Sequence, residues 1–343
     1  MQDGQRVTDT FHRLTTEMST LRTSLRDEMQ SKLDRINTLT SEIASLNVDI
    51  TAASVAGMNT GDMKDMIGTK IEELSTLANV SVSEGPQGAM MVMLGSVLIA
   101  DSGSSHKLSL ASAPNAIVSG TSFDQLRVVT DQGVQAQLTG GETGGLLQSY
   151  NTSIPDALGR LDRLAEGLIT EVNRSHATGY GVQNPPLTGI NFFRGTDAAS
   201  IGLDLTDTSG GAAAGSNPSV NNIATSSAAG VVGNNDIALQ IAAAFDRKPI
   251  TNAGGGTLLG GLSLSGYYNQ SVSRLGSAVN AASTVIESQE LILGQLTQQR
   301  DATSGVSLDE EMTNMIKFQR AFDAAARMIN TADEMFQTLL NMV

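Results

Sequence analysis

Few side chains in this sequence could do chemistry, and they are scattered. Its histidines are His12, His106 and His176. No two share the spacing of metal ligands, and neither a Gly-x-Ser-x-Gly elbow nor a phosphate loop accompanies them. His12 falls on the flank of a helical pattern, His106 in a loop or strand edge, and His176 at a helix end. A histidine in the last place ordinarily interacts with the final carbonyls. Cysteine is absent, which excludes disulfides, thiolate metal sites and cysteine nucleophiles. Gly140-Gly141-Glu142-Thr143-Gly144-Gly145 and Gly254-Gly255-Gly256 lack the lysine or strand–helix setting of a nucleotide loop, so they read as hinges. Asp309, Glu310 and Glu311 form an acidic cluster in a first helical turn, where the helix dipole favours negative charge. Capping accounts for them. The expectation is a protein with no catalytic, metal or cofactor site.

The C-terminal stretch, residues 305–343, has another purpose. Ser307 with Glu310 three residues on is a capping box, and about thirty residues without glycine or proline follow. Leu308, Met312, Met315, Phe322, Ile329, Phe336, Leu340 and Val343 fall on a 4-3 spacing, one apolar seam along a long helix. An amphipathic helix of this kind needs a partner outside its own segment.

Composition agrees with a thin-cored, helical protein. Aromatic residues make up only 3% of the 343, tryptophan is absent and glycine is abundant, so cores must be aliphatic and methionine-rich. A net charge of −14 argues against nucleic acid and anionic membranes as partners. No cleavable secretory signal opens the chain, and the apolar run over residues 89–100, broken by Gly95 and Ser96, is too short to span a bilayer.

Phe11, Leu14, Met18, Leu21, Leu25, Met29, Leu33, Ile36, Leu39, Ile43, Leu46 and Ile50 predict one helix over residues 7–56, ~75 Å long, with a slip in spacing near Met29 to Leu39. Gly57 to Gly61 end it, and a shorter helix through Met63, Ile67, Ile71 and Leu74 folds back. Over residues 79–138 the period becomes two, predicting a small antiparallel β element. A second long helix follows from Leu147 to Val172, kinked at Pro155. Residues 179–235 read as a loop-rich excursion with a strand near Ile201, after which Asn235 caps a short helix. Tyr268, Val272, Leu275, Val279, Ile286, Leu293 and Arg300 mark the last core helix. Heptad seams at opposite ends of the chain most simply pair. The fold class is mainly α with a small inserted antiparallel β element. Residues 1–184 and 233–304 form a helical rod domain, 185–232 a short outer excursion, and 305–343 a polymerisation helix.

Motifs in three parts of the chain carry a family resemblance. Leu308-Asp309-Glu310-Glu311-Met312, Ile316-Lys317-Phe318-Gln319-Arg320-Ala321-Phe322 and Ala326-Arg327-Met328-Ile329-Asn330-Thr331-Ala332-Asp333 resemble the C-terminal signature of bacterial flagellar axial proteins. Within that group, Leu158-Gly159-Arg160-Leu161-Asp162-Arg163-Leu164-Ala165 and Val172-Asn173-Arg174-Ser175-His176-Ala177-Thr178-Gly179 resemble the hook-associated proteins of the hook–filament junction. Asn222-Ile223-Ala224 with Gly233-Asn234-Asn235-Asp236-Ile237 is similar to that family's return into its rod domain. The family's Asn- and Ala-rich N-terminal segment has no match here, so Met1 reads as a truncated start.

The resemblance implies an elongated bundle of long helices that self-assembles as a ring between hook and filament, outside the cell, after export without a cleaved signal. It implies contacts with the hook protein, the second junction protein and, inside the cell, an export chaperone that holds the C-terminal helix. On this sequence the implied assembly contacts are Met312, Ile316, Phe318, Phe322, Ile329, Met335, Phe336, Leu339 and Leu340. The rival readings are a surface adhesin or coiled-coil binding module, and another axial protein of hook, rod or junction.

Overall fold

The unbroken helical period at the start of the chain becomes α1 (Gln2–Val55), 54 residues long. Gly57, at a φ of 71° open to glycine, ends it: Met58 N–H reaches back to Ala53 O at 2.9 Å, closing a Schellman turn. The computed structural model describes residues 1–118, 121–182, 186–206, 219–231, 233–252, 254–304, 312, 315–317, 319–320 and 322. Among them no helix is long and apolar enough to cross a membrane. The chain divides into two units, Met1–Ser271 and Val272–Val343.

In the first unit α2 (Gly61–Leu77) folds back on α1, as its spacing predicts. The expected β element is present as two sheets. β1 (Val80–Glu84), β2 (Met90–Leu94) and β3 (Val97–Ala100) pair antiparallel in that order, with Val82 opposite Val92. β4 (Leu108–Val118), β5 (Thr121–Thr130) and β6 (Gln135–Ala136) form the second, with Leu110 opposite Val128. Asp101 separates the sheets. Its Oδ1 accepts from Gly103 N at 3.1 Å and Ser104 N at 2.8 Å, an Asx turn that redirects the chain after β3. β4 and β5 outrun the short alternations seen in the sequence. Their ladder shifts register between Ala113 and Ala116, on either side of Pro114, which has no N–H to give a ladder.

Gly140 to Gly145, read as a hinge, instead open a helix, α3 (Gly141–Gln148). Their purpose is close approach. A Cβ on Gly141 would lie 2.6 Å from Ala78 N, and Gly141 has a φ of 70°. The buried Thr143 hydroxyl then donates to Leu77 O at 2.6 Å, satisfying a carbonyl at the end of α2. α3 continues through a π turn (Ser149–Ser153) into α4 (Ile154–His176). Pro155 explains the widened turn. It has no N–H for the carbonyl four residues back, and the backbone opens by one residue to pass it.

Three clusters line this framework. The largest packs Leu33, Ile36, Leu39, Ile43 and Ile50 of α1 against Ile67 and Leu74 of α2 and against both sheets through Val92, Ile99, Leu108 and Val128. A second joins Phe11 to Leu168, Ile169 and Val172 of α4 and to Leu264 and Tyr267 of α6 (Leu264–Ser304). Phe193, Ala198, Ile201 and Leu203, from the loop-rich segment, are buried in that cluster, where β7 (Phe193–Arg194) pairs with β8 (Gly202–Leu203). A third, small cluster sets Met29 against Leu126 and Tyr150. α5 (Asp236–Ala244) starts after Asn235 as expected, but the side chain that serves its first amide is Asn234, whose Oδ1 accepts from Asp236 N at 2.9 Å.

Candidate functional site

The spacing from Tyr268 to Arg300 predicts the last core helix, but past Ser271 its described apolar side chains are left uncovered. Along α6 past Ser271, Val272, Leu275, Val279, Ile286 and Leu293 are all exposed, and so is every described side chain beyond them. From Val272 to Ser304 the charged residues are Arg274, Glu287, Glu290, Arg300 and Asp301, sparse for a helix facing water. Of the expected contact residues, Met312, Ile316 and Phe322 are helical and exposed, Phe322 by 75%. Phe318, Ile329, Met335, Phe336, Leu339 and Leu340, with the capping pair Ser307 and Glu310, lie outside the described residues. Chemically this surface offers association through apolar burial.

The first unit carries a device that sequence reasoning missed: asparagines on helices that dock strands by pairing with backbone. Asn47, fully buried on α1, donates to Met90 O at 2.7 Å and Asp101 O at 2.8 Å and accepts from Met90 N at 2.7 Å. Asn37, ten residues earlier, exchanges two bonds with Leu108, at 2.9 and 2.7 Å. In the π turn Asn151 does the same with Leu126, at 2.9 and 2.8 Å. On α4, Asn173 donates to Phe193 O at 2.7 Å and accepts from Phe192 N and Phe193 N, both at 2.9 Å. A carboxamide has the donor and acceptor of a peptide group, so each one stands in for a missing neighbouring strand. Asn47 lies on the buried line of α1 between Ile43 and Ile50, while Leu46, placed on that line by the spacing, is partly buried against the same core.

Charged groups serve the same framework. Arg22 pairs with Asp124 at 2.7 Å and lies 4.1 Å over the Tyr150 ring, and Tyr150 donates to Asp124 Oδ2 at 2.9 Å. Burial pushes the Asp124 carboxyl up, but the hydrogen bonds from Tyr150 and Arg22 outweigh it and hold the group below the usual carboxylate range. Burial, then the Asp124 contact, pushes the Tyr150 phenol up. Glu171, fully buried on α4, meets Arg174 at 2.6 Å and Arg247 at 3.1 Å, tying α4 to the chain after α5. His12 is exposed and His106 lies 3.2 Å from Asp131. His176 departs from expectation. It is fully buried, with Nδ1 2.7 Å from Ile190 O and Nε2 accepting from Ala224 N at 3.0 Å, so it bonds to two remote segments and not to the carbonyls of its own helix.

Comparison with known proteins adds to this geometry. Residues 1–193 match the family described as the flagellar hook-associated protein FlgK helical domain. Residues 297–342 match the family described as the flagellar basal body rod FlgEFG protein C-terminal. Flagellar hook-associated protein 1 of Bacillus subtilis is 25% identical across 98% of this chain, an alignment that spans 70% of the relative. The protein of that name from Escherichia coli is 34% identical over 25% of this chain and 16% of its own length. The solved flagellar hook junction protein FlgK from Burkholderia pseudomallei aligns with a TM-score of 0.45 at 24% identity, covering 55% of this chain and 34% of that one.

Proposed function

This chain belongs to the FlgK family of flagellar hook-associated proteins, structural components of the flagellum at the hook–filament junction, and we propose that it joins hook to filament by self-assembly through its C-terminal seam. Neighbouring copies form a ring, one side of which meets the hook protein and the other the second hook-associated junction protein. The protein acts outside the cell, and before export the same seam is held by a chaperone.

The observation that carries this reading is the bare apolar face of the second unit, on which Met312, Ile316 and Phe322 stand exposed. Burying one such side chain is worth about 1.5–3 kcal/mol, and a seam of them is enough to hold subunits together once copies meet. A helix whose apolar face lacks a partner is marginal alone. Its folding is therefore deferred to assembly, which keeps subunits apart until they reach the growing end.

Deleting residues 307–343 tests this. Unit Met1–Ser271 should keep its far-ultraviolet spectrum and cooperative melting, while binding to hook ends is abolished. A surface-binding module would instead keep its binding after tail deletion. If tail deletion leaves hook binding intact, the proposal fails.

A further inference from the structure

Among the described residues, the ionisable side chains with no exposed surface are Glu171 and His176. Glu171 has two guanidinium partners; His176 has no counter-ion. Its ring contacts are Ile190 O, Ala224 N and the edge-on Phe192 ring, whose centroid is 5.4 Å away. The Ala224 amide can only donate, so Nε2 is the bare nitrogen and Nδ1–H donates to Ile190 O. These bonds fix both the neutral form and its tautomer.

The two partners sit on opposite limbs of one excursion. Ile190 lies on the outgoing limb, beside β7, and Ala224 on the returning one, so a single ring fastens both limbs to the end of α4. The packing leaves little slack: a Cβ on Gly179, three residues past the ring, would lie 2.9 Å from Ala224 Cβ and 2.8 Å from Ile237 Cγ1. The returning limb is otherwise tied by Val182 N to Asn221 O at 3.0 Å, Tyr180 N to Ser226 O at 2.8 Å and Asn222 Nδ2 to Leu205 O at 2.7 Å.

We propose that His176 is an acid-sensitive clasp: protonation at Nε2 sets donor against donor, expels the Ala224 amide and loosens residues 219–226 while α4 stays folded. Among the described residues no charge is placed to neutralise the imidazolium: Asp204, whose amide donates to Phe192 O at 2.9 Å, accepts from the Thr206 hydroxyl. Residues 189–193 and 219–226 contain no ionisable side chain. On α4, Arg174 and Glu171 are engaged with each other, and Glu171 also with Arg247. On α5, Asp236 accepts from the Ser227 hydroxyl, and in the first turn of α1, whose Gly4 abuts Phe192, Asp3 pairs with Arg6. Burial accordingly holds the imidazole below its usual 6.5, against the raising effect of the Ile190 bond.

The sign follows. Above about pH 6.5 the ring is neutral whether the limb is closed or open, and opening is independent of pH. Below it the open form takes the proton first, so the opening equilibrium rises about tenfold per pH unit until the closed ring itself titrates. Amide exchange at Ala224 in the full chain, corrected for intrinsic rates between pH 7.5 and 5, reads this directly. The expected result is that rise in the wild type, a flat profile at Leu168 of α4, and a flat profile at Ala224 in His176→Gln. An Ala224 profile that is flat in the wild type, or that rises equally in the variant, overturns the clasp. Should the variant fail to fold, the wild-type imidazole is followed by NMR. Retention of the Nδ1–H tautomer below pH 6.5, lost in step with Ala224 protection, is expected; titration near 6.5 with the Ala224 bond intact overturns it.

Discussion

Placing aspartate at Ile316 and Phe322 together is expected to abolish self-assembly while leaving the first unit as stable as in the wild type. Both side chains are exposed in the single chain, Ile316 by 45% and Phe322 by 75%, so the folded first unit does not depend on them. In an assembly built on the proposed contacts both become buried. Losing two such burials costs about 3–6 kcal/mol per contact, which weakens association by about a hundredfold or more. Desolvating two carboxylates without partners adds to that cost. Sedimentation and electron microscopy of the double variant beside the wild type are the readout, with the thermal melt of the first unit as the control. Assembly at the wild-type concentration would place the contacts elsewhere on the molecule.

The second large effect is expected from Asn47→Ala. The substitution removes three hydrogen bonds at once and strands Met90 N, Met90 O and Asp101 O around a site with no exposed surface. Each orphaned buried group costs about 1–3 kcal/mol, and allowing for entry of water the sum is about 3 kcal/mol or more. For a unit of this size that lowers the melting temperature by roughly 10 °C. Val48→Ala, one position along on the exposed side of the same helix, should stay within about 0.5 kcal/mol of wild type. Denaturant unfolding distinguishes them, and an Asn47 variant as stable as the Val48 one would remove the asparagine framework as a source of stability.

These two predictions separate what the sequence made legible from what it did not. Periodicity alone located α1, α2, α6, the strand segments and the disturbance at Pro155, because each is set by residues near one another in the chain. The apolar tail was visible in the same way, as a 4-3 spacing through Met312, Met315 and Phe322, although spacing does not say which surface covers it. What stayed hidden depends on contacts between remote residues. The docking roles of Asn37, Asn151 and Asn173 left no mark in the spacing, since only the folded chain brings a strand backbone opposite each. Gly141 looked like a hinge because its partner, the Ala78 backbone, is 63 positions away in the chain. His176 looked like a helix-end histidine for the same reason: Ile190 and Ala224 meet it only after the excursion has turned back.

The most direct test of assembly through deferred folding is amide hydrogen exchange on the full chain, comparing residues 307–343 with residues 7–50, first as a verified monomer and then bound to hook ends. The account predicts fast exchange in the tail beside slow exchange in α1 for the monomer, and tail exchange slowed at least tenfold on assembly, with α1 unchanged. A tail already protected in the monomer, or one left unprotected in the assembled junction, would contradict it.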